Sequence, residues 1–230
     1  MKRRTSKSHP HRRKALAVTL LLVVTVAYLL GWSSLLTVKQ VRVIGAPTSL
    51  QAQLIGESVH SGEKMARLET RAISNSLRKY TWLDHARIDR NWLKGLITIR
   101  VWTRTPIAAY QTHLIDRNGI LFDLPSDQIS HLPRIATSNI SSAKLALDLL
   151  LKLPIDFRAN VMTVRMEGAR SAILVIKSSS QNPTRIITVI WGDSTDTELK
   201  IRVLNALLAL AENGKVSTIN VSAPHAPIVK

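Results

Sequence analysis

The side chains best suited to chemistry are scattered through this 230-residue chain. There are seven histidines: His9, His11, His60, His85, His113, His131 and His225. None forms a spaced ligand pair, and there is no HExxH to set two imidazoles on one helical face. No metal site is expected. Between residues 39 and 105 the acidic residues are Glu57, Glu63, Glu69, Asp84 and Asp89. Glycoside cleavage needs two carboxyls converging on one cleft. Asp84 and Asp89 stand five apart on one expected strand, so they face opposite sides of a sheet and read as solvated or salt-bridged. There is no GxSxG elbow for a nucleophilic serine. No GxGxxG or P-loop is present to cradle phosphates. The chain has no cysteine, hence no thiolate and no disulfide framework. No catalytic residue and no cofactor are expected. What remains is the chemistry of the backbone. A short strand, Thr218–Val221, is expected near a sheet edge, where unpaired N–H and C=O groups can receive a partner's strand. The plainer alternative is that it only completes the sheet and is blunted by Pro224 and Pro227.

Periodicity shows the elements that would hold that strand. Val41 and Val43 alternate with Gln40 and Arg42 and stop at Gly45, which predicts a strand. Thr48 or Ser49 is placed to cap a helix carrying Leu50, Leu54, Ile55 and Val59. His60-Ser61-Gly62 breaks it. Thr70 is placed to cap a second helix, with Ile73, Leu77 and Tyr80 on one face. A strand over 84–92, with Ala86 and Ile88 inward, turns at Leu93-Lys94-Gly95. In the next strand, over 96–102, Ile97, Ile99 and Val101 alternate with Thr98, Arg100 and Trp102. Strand, helix, helix, strand, strand is the order of a POTRA domain.

The texture changes at Pro106. A hairpin is predicted from His113 to Phe122 around Asn118-Gly119, with both turn residues at positive φ. Ser141 or Ser142 is placed to cap a helix to Leu151, stopped by Pro154. Strands follow over 160–166, 171–178 and 184–191, with turns at Gly168 and 178–183. Thr195 or Thr197 opens a helix with Leu199, Val203, Leu204 and Leu207 on one face, ending at Asn213-Gly214.

The N-terminus sets the address. Residues 15–38 carry no charge, while the fourteen before them carry seven basic residues and no acidic one. As a helix this 24-residue stretch would span roughly 36 Å. That exceeds a hydrocarbon core of about 30 Å. Lys and Arg stay on the cytoplasmic side, so the rest of the chain is expected outside the membrane. A cleaved signal peptide would have a shorter apolar region, of about 7–15 residues, ending at a small-residue site. An uncleaved anchor is therefore expected. The formal charge is +17. Seven of these charges sit in the tail, leaving +10 spread over the other 216 residues. Few aromatics are interleaved with that charge, so nucleic-acid binding is not expected.

The fold class expected is α+β: a single N-terminal transmembrane helix, a POTRA domain (β-α-α-β-β), and a mixed β domain with two packed helices. The expected divisions are a cytoplasmic tail 1–14, the transmembrane helix 15–38, the POTRA domain 39–105, the β domain 106–222 and a C-terminal tail 223–230.

From Val38 to Phe122 the chain resembles the FtsQ/DivIB family of bacterial cell-division proteins. The likeness runs through Val38, Val41, Val43 and Gly45, then Gly62, Leu68, Thr70, Ile73 and Leu77. It continues in Trp82-Leu83-Asp84-His85-Ala86-Arg87-Ile88-Asp89-Arg90-Asn91-Trp92 and in Ile97-Thr98-Ile99-Arg100-Val101. Thr105-Pro106-Ile107-Ala108 and Ile115-Asp116-Arg117-Asn118-Gly119-Ile120-Leu121-Phe122 complete that part. Trp191-Gly192 and Ile219-Asn220-Val221-Ser222-Ala223-Pro224 extend it. Leu93, Thr103, Asn220 and Ser222 depart from the family's usual Pro, Glu, Asp and Arg.

The resemblance implies a non-enzymatic divisome scaffold of the cell membrane, single-pass and type II, at the division septum. It would bind FtsB and FtsL homologues and link them indirectly to the septal peptidoglycan synthases FtsW and FtsI. The implied partner-binding segment is Ser217, Thr218, Ile219, Asn220, Val221 and Ser222, extended by Ile228 and Val229. Val41, Arg42 and Val43 are the implied recruitment residues of the POTRA domain. The competing expectation is a membrane-anchored enzyme acting on wall polymer.

Overall fold

A computed structural model describes residues 10–31, 36–124, 131–178 and 185–230. The chain divides into two compact units, Met1–Thr103 and Arg104–Lys230.

The first unit opens with helix α1 (Pro10–Gly31). Its side chains from Lys14 to Tyr28 are exposed on every side. Among the described residues no helix is long and apolar enough to cross a membrane. The expected span over 15–38 is corrected at its far end. The helix stops at Gly31, residues 32–35 lie outside the described residues, and Thr37 and Val38 belong to the fold that follows. Thr37 bridges to Lys64, and buried Val38 donates its N–H to the Glu63 carbonyl at 2.8 Å. Pairing with the 61–65 loop draws Val38 out of the apolar run and into a core.

That core is a three-stranded sheet with two helices. Strands β1 (Gln40–Ile44), β2 (Leu83–Asn91) and β3 (Leu96–Thr103) lie in the order β1-β3-β2. β1 runs parallel to β3, with Gln40 opposite Leu96 and Ile44 opposite Arg100, and β2 runs antiparallel to it. The alternation expected of β3 is realised: Ile97, Ile99 and Val101 are buried. Helices α2 (Thr48–Ser58) and α3 (Thr70–Ser76), the latter continued by a 3₁₀ turn at Leu77–Lys79, bring in Leu54 and Leu77. The expected caps shift by one residue. Pro47 and Glu69 hold the cap positions without side-chain cap bonds, and Thr48 and Thr70 are the first helical residues.

The second unit is a nine-stranded sheet in the order β12-β11-β10-β9-β8-β7-β4-β5-β6. Its strands are β4 (Pro106–Tyr110), β5 (His113–Asp116), β6 (Leu121–Phe122), β7 (Arg134–Ile135), β8 (Val161–Met166) and β9 (Ala172–Ser178). They are followed by β10 (Arg185–Gly192), β11 (Thr218–Asn220) and β12 (Ile228–Val229). Helix α4 (Ile140–Lys152) presents Ala143, Ala146, Leu147 and Leu150 at helical spacing. Helix α6 (Thr197–Ala209) adds Leu204 and Leu208. These pack with Leu174, Ile187, Val189 and Trp191 in one core.

Periodicity missed β4, β7, β12 and the one-turn helix α5 (Ile155–Arg158), which are too short or too proline-bound to show a period. The α4 cap is Asn139, whose Oδ1 accepts from the Ser142 N–H at 2.7 Å, so neither Ser141 nor Ser142 is the cap. The α6 face is rotated from the expected one: Lys200, Leu204 and Leu208 are its buried residues. In the β5–β6 turn only Gly119 takes a positive φ, of 75°, because Asp116 closes the turn with its side chain. Most of the expected 178–183 turn lies outside the described residues. Residues 223–230 return to the sheet as β12 rather than trailing from it.

Candidate partner-binding edge

The end of the sheet formed by β10, β11 and β12 is built from both sides. β11 runs parallel to β10, pairing Thr188 with Thr218, Val189 with Ile219 and Ile190 with Asn220. The Thr188 N–H donates to the Ser217 carbonyl, and the Val221 N–H donates to the Ile190 carbonyl, each at 2.9 Å. The Arg185 guanidinium reaches back to the Asn213 and Val216 carbonyls and so fixes the approach to β11. Buried Asn213 donates to the Leu207 carbonyl at 2.9 Å, tying that approach to α6.

β11 is not the free edge. β12 covers it, with Ile219 opposite Val229 and Asn220 opposite Ile228. The Lys230 N–H donates to the Thr218 carbonyl at 2.9 Å, and the Thr218 N–H donates back to the Lys230 carbonyl at 3.0 Å. Antiparallel pairs alternate between bonded and non-bonded. Lys230 and Ile228 therefore turn their backbone groups toward β11, and Val229 turns its N–H and C=O outward. Pro227 has no N–H to offer. The outward row is thus short: the Val229 pair, with the Pro227 carbonyl before it.

The segment implied by the resemblance separates along this edge. Ile219 and Val221 are fully buried and belong to the core. Ser217 is exposed and donates its N–H to the Lys230 carbonyl at 3.1 Å. Thr218 is half-buried between β10 and β12. Asn220 and Ser222 serve a local turn: Asn220 Oδ1 accepts from the Ser222 N–H at 2.9 Å and from the Ser222 hydroxyl at 2.7 Å. Gly192, at φ 76°, is pressed against that turn. A Cβ there would lie 2.8 Å from the Ser222 Cβ. Pro224 is buried, so it anchors the turn rather than blunting an edge. Ile228, 53% exposed, and Val229 are the apolar side chains on the open strand.

Val41, Arg42 and Val43 lie on β1, a terminal strand of the other sheet. Val43 is buried, Val41 half-buried and Arg42 exposed. A shallow groove of about 320 Å³ runs along them between β1 and α2, bounded by Gln51 and Ile55.

A second cleft, of about 420 Å³, holds Asp148 and Lys152 of α4 with Arg170 and Asp193. Beneath it Lys200, 1% exposed, donates to the Asp193 carbonyl and to Asp193 Oδ1, each at 3.0 Å. Its Nζ lies 5.9 Å from the Trp191 ring centroid, a cation–π distance. The Thr195 hydroxyl and backbone N–H, together with the Lys200 ammonium, hold the Asp193 carboxyl down to about 2. These bonds make Asp193 the clamp of the loop before α6. Among the described residues no cluster of His, Cys, Asp and Glu could hold a metal ion. Sequence reasoning missed Lys200. Its signal was the spacing of 200, 204 and 208, which puts the lysine on an apolar stripe.

The family model for "Cell division protein FtsQ/DivIB, C-terminal" matches residues 107–222. A Streptomyces bingchenggensis (strain BCW-1) protein named "Cell division protein FtsQ" is 27% identical over 240 residues, covering 96% of this chain and 87% of that protein. A protein of the same name from Zymomonas mobilis subsp. mobilis (strain ATCC 31821 / ZM4 / CP4) is 27% identical over 138 residues, covering 50% of this chain and 43% of that one. The matched stretch holds β10, β11 and the turn at Ser222, and by that match the chain belongs to the FtsQ/DivIB family of cell-division proteins.

Proposed function

We propose that this protein is a non-enzymatic scaffold of the division machinery, held in the cytoplasmic membrane by the uncharged run that begins at Ala15, with its basic tail inside. In this reading the β-α-α-β-β unit is a POTRA domain. The second unit binds FtsB and FtsL homologues and so couples, indirectly, to the synthases FtsW and FtsI. The observation that carries the reading is the β12 edge. A short strand with outward Val229 backbone groups and an exposed Ile228 is a site for strand addition, in which backbone bonds give affinity and side-chain pockets give specificity. Family membership supports a role in division.

The test is Val229→Pro in the full chain. It removes an outward N–H and leaves the bonds to β11 intact. Co-purification with an FtsB homologue should fall sharply while the melting temperature holds. Unchanged binding would sink the edge reading. Ile219 is the wrong place to test binding, because a charge at that fully buried position damages the fold itself.

A further inference from the structure

The β2–β3 hairpin ends in Trp92-Leu93-Lys94-Gly95, and Leu93 is 98% exposed. Trp92 beside it is partly exposed, with the Arg90 guanidinium 5.7 Å from its ring centroid. A leucine held fully in water at a hairpin tip contributes nothing to its own core. We propose that this tip dips into the outer headgroup layer of the membrane that carries the chain. The inference rests on the reading of the uncharged run from Ala15 as a membrane anchor.

The direction follows from the register. Gln40 lies opposite Leu96, and Asn91 pairs with Leu96 across the hairpin. The loop 92–95 therefore projects past the start of β1, on the side from which residues 36–39 arrive. Two residues of loop on each side carry the tip about 7 Å beyond Gln40. The contact is direct: the Lys39 and Gln40 N–H groups both donate to the Gly95 carbonyl, at 2.8 and 3.2 Å. Gly95, at φ 63°, permits this approach, since a Cβ would lie 2.9 Å from the Thr37 carbonyl oxygen. Lys39 is the first charged residue after the uncharged run. The tip is thus fastened to residues 39 and 40, at the end of the segment that follows the uncharged run.

The chemistry of this end suits a lipid surface. The 61–65 loop joins it, since the Gly62 N–H donates to the Val38 carbonyl at 2.8 Å. Lys39, Lys64 and Lys94 supply positive charge here. The acid in that loop, Glu63, is bonded by the His60 imidazole at 3.0 Å. Basic side chains next to a membrane segment are drawn to anionic headgroups. Trp settles at the interface, where its amphipathic ring suits the boundary. Leu93 is then the apolar residue at the leading point.

The absence of native cysteine makes the test clean. Full-length protein is reconstituted into vesicles of phosphatidylethanolamine and phosphatidylglycerol containing doxyl-labelled lipid. An environment-sensitive fluorophore is placed in turn at Leu93→Cys, at Ser49→Cys beyond the opposite end of β1, and at Leu22→Cys within α1. Shallow doxyl lipid should quench the label at residue 93 several-fold more than that at 49, and deep doxyl lipid should quench that at 22. Adding Trp92→Ser and Lys94→Glu should return the residue 93 label to the level of 49. If 22 is quenched but 93 behaves like 49, the hairpin inference is overturned and the anchor stands. If 22 is not quenched, the anchor reading itself falls. A blue shift at 93 without quenching by lipid marks a protein contact, and also overturns the proposal.

Discussion

Two of the hairpin turns in this chain, β5–β6 and β2–β3, are finished in opposite ways. In the β5–β6 turn, buried Asp116 accepts from the Asn118 and Ile120 N–H groups at 2.9 and 2.8 Å. Arg104 clamps the other carboxylate oxygen at 2.7 Å. In the β2–β3 turn, the Asn91 side chain accepts only from the Lys94 N–H, at 3.1 Å, and Trp92 and Leu93 are left facing out. One turn spends its polar groups on its own stability. The other is anchored only at its base, at Gly95, and keeps its apolar residues for something outside itself. A turn that is costly to alter and one that is cheap to alter should respond very differently to substitution.

The largest effect is expected at the sealed turn. Asp116→Ala removes the carboxylate that the mostly buried Arg104 guanidinium clamps and frees the Asn118 and Ile120 N–H groups. Removing one partner of a buried ion pair costs about 3–5 kcal/mol. Denaturant unfolding of the second unit should show it. A loss under 1 kcal/mol would mean that the turn is not the clamp it looks.

The base of the open turn comes next. Gly95→Ala forces an L side chain into a left-handed conformation, a strain of about 1–2 kcal/mol. It also presses a Cβ toward the Thr37 carbonyl. Thermal unfolding of the first unit should shift down, with the second unit unaffected. Equal stability would show that residues 37–39 and the hairpin are not fastened together.

A third loop, between β10 and α6, sharpens the contrast by pH. The Asp193 carboxyl, from an ordinary value near 3.8, is held at about 2 by Thr195 and Lys200. The folded state thus binds fewer protons than the unfolded one near pH 3. That contribution is complete above pH 4 and is lost as pH falls toward 2. Trp191, next to Lys200, reports on it by fluorescence. Asp193→Asn should flatten this part of the acid profile. The first unit has its own acid-sensitive group, Glu57, also held at about 2 by Lys79, Tyr80 and Gln53. That pairing is exposed and should weaken with salt.

How much of this was legible in the sequence depended on period and length. The order β1-α2-α3-β2-β3 could be read because Ile97, Ile99 and Val101 alternate and because Leu54 and Leu77 sit on helical faces. Strands β8 to β10 were found within a residue for the same reason. β12 was not, because two residues after a proline carry no period, yet it is the strand that covers β11. Exposure of the expected edge therefore could not be judged from Thr218–Val221 alone. Cap positions slipped because Asn139 lies just before Ser141 and Ser142, and Asp196 lies between Thr195 and Thr197. The burial of Lys200 was hidden by its charge. A lysine in a core makes sense only once Asp193 and Trp191 are seen beside it.

The smallest stability effect belongs to the tip of the open turn. Leu93 is almost wholly in water, so Leu93→Ser removes no buried area. Surface substitutions away from caps and cores fall within about 0.5 kcal/mol of neutral. The melting temperature of the first unit in detergent-free solution of low lipid content should therefore hold. If it drops by as much as Gly95→Ala does, Leu93 packs against something within the first unit, and the contrast between the sealed and the open turn is lost. If it holds while Asp116→Ala unfolds its own unit, the two hairpins differ in purpose as well as in geometry.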